Sequence, residues 1–168
     1  MKNDILIKVL SLAFFAKRNG LKIAVAESCT SGLLANFLSS LAGSSTWFEF
    51  GVVCYSNLSK KALLSVDLNS VKFHGSVSKI VASQMLAGLE RISPEKKNNF
   101  YLFSSVTGIA GPTGSSEKKP RGLVWFGFQS YGERTCKNSI FSGSRMQIRN
   151  LAVRMALEGL ISASARKK

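Results

Sequence analysis

The sequence predicts an α/β fold: a three-layer α/β/α sandwich on a mixed sheet, in a single domain. Three observations point there. Apolar stretches of strand length alternate with helical patterns through the first half of the chain. Three strand-like stretches then follow one another, separated only by a long loop and a tight turn. A long helical pattern closes the sequence. The 168 residues, 45% of them hydrophobic, suffice for one core, and no linker, repeat or low-complexity tract divides them.

In order, residues 1–19 place Ile5, Leu6, Val9, Leu12, Ala13 and Ala16 at i, i+3, i+4 spacing, an amphipathic packing helix that Gly20 closes. Its apolar run is short and ends in Lys17-Arg18 without a small-x-small cleavage site, unlike a secretion signal. Residues 21–26 form a short strand, Glu27-Ser28-Cys29-Thr30-Ser31-Gly32 the turn after it, and 33–41 an apolar helix. Gly43-Ser44-Ser45 is a turn before a buried strand at 47–55, and Ser56-Asn57 caps a helix reaching Val66. The chain turns at His74-Gly75; Ser76 or Ser78 caps a helix to about Ile92, which Ser93-Pro94 ends. A polar connector at 95–99 leads to a strand at 100–106 and a loop at 108–121. Strands at 123–130 and 134–141 join through a hairpin turn at Tyr131-Gly132, and the last helix covers 144–163.

Composition prunes the chemistry. Only His74 is available, and it reads as structural, so a His-rich metal site is excluded; the nine acids are dispersed without DxD or ExxH. No metal or cofactor is expected. Three cysteines, odd in number and far apart, make neither a disulfide framework nor a CxxC knuckle and suit reduced thiols in a cytoplasmic protein. No apolar run approaches the ~18 residues of a spanning helix, so no membrane partner is expected. Proton chemistry falls to Lys, Tyr, Ser or Thr.

The net charge of +14 invites a nucleic-acid reading. Its distribution argues for solvated surface instead: Lys17-Arg18, Lys60-Lys61, Lys96-Lys97, Lys118-Lys119 and Arg166-Lys167-Lys168 are scattered, and no Arg-rich recognition helix stands out.

Four stretches carry possible chemistry. Strand–ESCTSG–helix puts hydroxyls and backbone N–H groups at a strand's carboxyl end, where α/β folds hold anionic ligands, although an ordinary N-cap by Ser28 or Thr30 explains the same pattern. The glycine-rich loop from Gly108 through Gly111 and Gly114 lets backbone approach a ligand. Ser45, Tyr55 and Lys60 flank a strand and its following helix, where a neutral lysine, relayed by a tyrosine, could activate a serine. Bringing a lysine from about 10.4 to near 7 takes about 4–5 kcal/mol of differential destabilisation, supplied by burial or neighbouring positive charge. From the pattern alone, a solvated Lys60-Lys61 pair and a turn serine account for it more simply. Finally, Arg145 and Arg149 share a helix face at i, i+4 and could grip a phosphate.

Together and in this order, Ala26-Glu27-Ser28-Cys29-Thr30, Ala42-Gly43-Ser44-Ser45, Tyr55-Ser56-Asn57, Val106-Thr107-Gly108-Ile109-Ala110-Gly111-Pro112 and Ser116-Glu117-Lys118-Lys119-Pro120 resemble the C-terminal domain of the CinA family, over residues 21–160. The resemblance implies hydrolysis of the carboxamide of nicotinamide mononucleotide to nicotinate mononucleotide and ammonia, by a cytoplasmic homodimer. It maps the family's serine, tyrosine and lysine onto Ser45, Tyr55 and Lys60, with Ser45 attacking the amide and Lys60 taking its proton directly or through Tyr55. Glu27, Ser28, Thr30, Gly32, Thr107, Gly108, Gly111 and Arg145 would hold the nucleotide substrate.

The chain departs from the family pattern at Ser31, Phe50, Ser115, Ser116, Ser142 and Ser144, positions expected near the pocket. The alternative reading is therefore a catalytically weak or inactive homologue that binds nucleotides or nucleic acid in connection with competence or DNA damage.

Overall fold

The computed structural model describes residues 2–94 and 101–165. Its elements are α1 (Lys2–Asn19), β1 (Lys22–Glu27), α2 (Leu33–Ser39), β2 (Phe48–Val53), α3 (Asn57–Leu64), α4 (Leu68–His74), α5 (Lys79–Ile92), β3 (Tyr101–Gly108), β4 (Leu123–Ser130), β5 (Glu133–Ile140) and α6 (Arg145–Ser164). One five-stranded sheet runs β2-β1-β3-β4-β5. β1 is parallel to both β2 and β3, whereas β3, β4 and β5 form an antiparallel meander. The mixed sheet and single domain are as the sequence predicts.

Strand alternation sorts the core into two layers. Ile23 and Val25 of β1 face one side and pack with Val9 and Leu12 of α1, Leu34 and Leu38 of α2, and Leu157 and Leu160 of α6. Ala24 and Ala26 face the other side and meet Val81, Met85 and Leu89 of α5 together with Leu64 of α3. A strand buried on both faces needs a continuous apolar run, which KIAVA supplies. Parallel pairing gathers the carboxyl ends of β1, β2 and β3 at one edge of the sandwich, and the loops leaving that edge build the site.

Several expectations change. The strand expected to be buried at 47–55 is shorter and lies at the sheet's edge, with alternate residues exposed, because β1 is its only neighbour. The helix from Asn57 stops at Leu64, two residues before Val66, and a separate α4 follows, which periodicity did not announce. No residue of α4 is buried; Asp67 starts it by accepting hydrogen bonds from Asn69 N at 3.0 Å and Ser70 N at 3.2 Å. Leu6, placed on the packing stripe of α1, is 41% exposed. The hairpin turn is as expected, with Tyr131 and Gly132 both in the left-handed region at φ 49° and 82°. The side chain of His74 is exposed at the end of α4. The connector at 95–99 and the charged tail at 166–168 lie outside the described residues. Among the described residues no helix is long and apolar enough to cross a membrane.

Candidate active site

Ser28 is the first residue past β1, tied down by its N–H to Val106 O at 2.9 Å. Lys60 sits in the first turns of α3, which a reciprocal capping box between Ser56 and Ser59 starts just beyond the end of β2. That placement aims the Lys60 side chain back under the sheet edge. Lys60 is only 2% exposed, and its Nζ lies 2.9 Å from Ser28 Oγ and 3.3 Å from Tyr55 O. Among the described residues no carboxylate ion-pairs with it. Burial therefore pulls the Lys60 pKa below its ordinary value, with the neighbouring Cys54 and Cys29 opposing the shift. A buried lysine amine without a carboxylate partner, in hydrogen-bond contact with a serine hydroxyl, is an arrangement that can activate the hydroxyl as a nucleophile.

The loop after Ser28 is held from three sides. Ser31 and Gly32 both take left-handed conformations, φ 51° and 86°, folding the chain sharply from β1 into α2. Gly32 caps α2 without a side chain; instead the fully buried Glu27 carboxylate accepts from Leu34 N at 3.1 Å and Ala35 N at 2.8 Å. From α6, Arg149 donates to Thr30 O at 2.8 Å. Glu27, Thr30 and Gly32 are thus the frame of the nucleophile loop rather than part of the cavity lining.

Across the cleft, Thr107 donates its hydroxyl to Ser76 O at 2.8 Å. Gly108 leaves no room for a side chain: a Cβ there would stand 2.7 Å from Val124 Cγ2, 2.9 Å from Leu123 O and 3.0 Å from Cys29 Sγ. The missing side chain lets the glycine loop lie against the nucleophile turn. Arg145 donates to Gly111 O and to Tyr55 Oη, both at 2.7 Å, bridging three separate segments. The resulting cavity measures about 160 Å³, and Ser28, Tyr55, Lys60, Thr107, Gly108 and Arg145 are among its lining. Gly111, at φ 77°, is reached through Arg145 and does not itself line the cavity.

Ser45 is elsewhere. It lies in a 3-10 turn, Ser44–Thr46, before β2, and its carbonyl accepts from Lys22 Nζ at 3.1 Å. Lys22 opens β1, and Trp47 O accepts from Ile23 N, so Ser45 stands at the amino ends of the strands. Tyr55 and Lys60 stand beyond the carboxyl end of β2. The intervening six-residue strand spans roughly 20 Å, too far for proton transfer and too far for Tyr55 to bridge. The expected pairing of Ser45 with Lys60 is corrected: the serine in contact with the lysine is Ser28. The sequence signal for Ser28 is a serine at a strand-to-helix turn, a position the family resemblance implies for substrate binding. Ser31, Phe50, Ser115, Ser116, Ser142 and Ser144, where the family pattern differs, do not line the cavity. Ser144 caps α6 in a box with Gln147, the same service an aspartate would give.

Comparison with known proteins places this geometry in context. The model of the CinA C-terminal domain matches residues 8–164. A protein of Escherichia coli K12 named nicotinamide-nucleotide amidohydrolase PncC is 39% identical over 145 residues, 86% of this chain and 85% of that one. A CinA-like protein of Syntrophomonas wolfei is 40% identical over 93% of this chain, which spans 36% of that longer protein. Among solved structures, the competence/damage inducible protein CihA of Agrobacterium tumefaciens superposes with a TM-score of 0.88 at 36% identity, covering 95% of each chain. The competence damage-inducible protein A of Klebsiella pneumoniae gives 0.90 at 28% identity, covering 98% of this chain and 99% of that one.

Proposed function

The chain belongs to the CinA C-terminal domain family, and from that premise we propose that it is an amidase that hydrolyses nicotinamide mononucleotide to nicotinate mononucleotide and ammonia, with Ser28 as nucleophile and Lys60 as base. The relatives named as amidohydrolases support the reaction class. The observation that carries the residue assignment is the 2.9 Å contact between the buried Lys60 amine and Ser28 Oγ.

In this scheme neutral Lys60 takes the hydroxyl proton as Ser28 Oγ attacks the carboxamide carbon. The backbone N–H of Cys29, next along that turn and among the cavity's lining, stabilises the oxyanion together with amides of the facing glycine loop. Lys60, now an ammonium, returns the proton to the leaving nitrogen, the C–N bond breaks, and ammonia departs. Water, deprotonated by the same amine, then attacks the acyl-serine ester; the collapse gives the carboxylate and restores Ser28.

At the mouth, Arg145 offers a guanidinium to the nucleotide's phosphate, and Tyr55 Oη orients it. Thr107, which spends its proton on Ser76 O, keeps lone pairs for a ribose hydroxyl. Three free cysteines, two of them buried, suit the cytoplasm, where the reaction is placed. The homodimer implied by the family is read out separately by the mass of the protein in solution.

The test is ammonia release from nicotinamide mononucleotide by wild type, Ser28→Ala and Ser45→Ala. Turnover is expected in wild type and Ser45→Ala and absent in Ser28→Ala. Loss of activity in Ser45→Ala with retention in Ser28→Ala would overturn the residue assignment, and no turnover by folded wild type would overturn the reaction.

A further inference from the structure

Beside the catalytic cavity lies a second, larger one of about 480 Å³, with Val77 lining both. Ser28 and Lys60 do not reach it. Its floor is apolar: Val77 and Leu123 are buried in a small cluster with Ile109, and the half-buried indole of Trp125 packs on that cluster and lines the cavity. Its rim is cationic, formed by Lys79, Lys118 and Lys119. Lys119 is fixed there by donating to Val77 O at 2.7 Å and to His74 O. Lys79 and Lys118 are exposed and, among the described residues, make no ion pair with a carboxylate. No Asp or Glu is among the residues lining the cavity.

An indole beside an apolar floor takes a planar aromatic group, by stacking and by burial. Ammonium groups without carboxylate partners take an anion. A purely apolar guest would leave the lysines unused, and inorganic phosphate would leave the floor wet. The volume falls in the range of small-molecule sites and holds about one nucleotide.

We propose that this cavity is a second ligand site that binds a nucleoside monophosphate, its base against Trp125 and its phosphate between Lys79 and Lys118. The proposal does not depend on the amidase reading, because binding is measured without turnover.

The experiment titrates the full chain with AMP by calorimetry and by tryptophan emission. Trp47 is 1% exposed, so quenching reports Trp125. Saturable binding at or below about 1 mM is expected, as for a small ligand held by one stack and an ion pair. Adenosine and inorganic phosphate should each bind at least about tenfold more weakly, since each supplies half of the contacts. The double variant Lys79→Gln/Lys118→Gln, at two exposed positions, should weaken AMP binding about tenfold or more, whereas Ser28→Ala keeps the wild-type affinity. Trp125→Leu, read by calorimetry, should weaken it as well.

AMP binding that persists in the lysine double variant would overturn the proposal, and its loss in Arg145→Ala, at a residue that lines only the catalytic cavity, would put AMP there instead and overturn it too. So would an absence of saturable binding, or tighter binding of a single-stranded oligonucleotide with a steep salt dependence, which would assign the lysines to a polymer.

Discussion

The two ends of the parallel strand pair carry the same residue types and opposite chemistry. At the amino end, Lys22 touches Ser45; at the carboxyl end, Lys60 touches Ser28. Lys22 meets only the serine's carbonyl, and it is ion-paired with Glu49 at 3.2 Å. Lys60 meets the hydroxyl, is buried, and lacks a carboxylate partner among the described residues. A lysine that shares its charge with a carboxylate and water has no reason to give up its proton. One buried without such a partner gives it up more readily, because desolvation penalises the ammonium. On the proposed mechanism, what separates a general base from a partly exposed cation here is burial without a carboxylate partner.

The sharpest way to break this comparison is to remove each serine in turn. Ser28→Ala should lower kcat/KM for nicotinamide mononucleotide by about a thousandfold or more, whereas Ser45→Ala should stay within about twofold of wild type, both by ammonia release.

A second prediction concerns Arg145, the link between Tyr55 and Gly111 at the mouth. Arg145→Ala should raise KM about ten- to a hundredfold, with a smaller effect on kcat, as expected of a charge-assisted contact to a phosphate.

The third uses pH. On the proposed mechanism catalysis requires neutral Lys60, whose pKa burial lowers from 10.5. The value of kcat/KM should therefore fall by about tenfold per pH unit below the Lys60 midpoint and level off above it, with that midpoint below 10.5. Ser45→Ala should leave the profile unmoved.

The fourth concerns the frame. Glu27→Gln replaces one of two carboxylate acceptors at the start of α2 with a donor facing a backbone N–H, and should cost about 1–3 kcal/mol in denaturant unfolding.

The smallest effect is also the most diagnostic. Lys60 has a lower pKa folded than unfolded, so between the two values the unfolded chain binds more protons. Stability therefore drops as pH falls from 10.5 towards the folded value and is level below it. Lys60→Met removes that penalty. It should abolish activity yet gain stability at neutral pH, a gain that fades as pH approaches 10.5.

Most of the fold is legible in the sequence because the apolar periods are long and the caps explicit: Ser56, Ser78 and Ser144 begin α3, α5 and α6 as their neighbours suggest. α4 is not legible, since none of its residues is buried and only the Asp67 cap announces it. The edge position of β2 was also hidden, because FEFGVV reads as apolar whether it has one neighbour or two. Lys60, Tyr55, Gly108 and Arg145 are legible from their places beside loops and Thr107 only through the family resemblance, and the structure gathers them around one cavity. The wrong serine was chosen because proximity in sequence across a strand is distance in space: a turn before β2 and a turn after it face opposite ends of the sandwich. Ser28, thirty-two positions from Lys60, is its neighbour because parallel pairing aligns the ends of β1 and β2.

The edge position of β2 has a consequence for control. The helix that carries Lys60 follows the sheet's outermost strand, whose outer edge pairs with no other strand among the described residues and can take an extended guest. A peptide paired along that edge would meet the strand that leads into α3 without entering the cleft. Inhibitors built to lie alongside the molecule, rather than inside it, have a handle there.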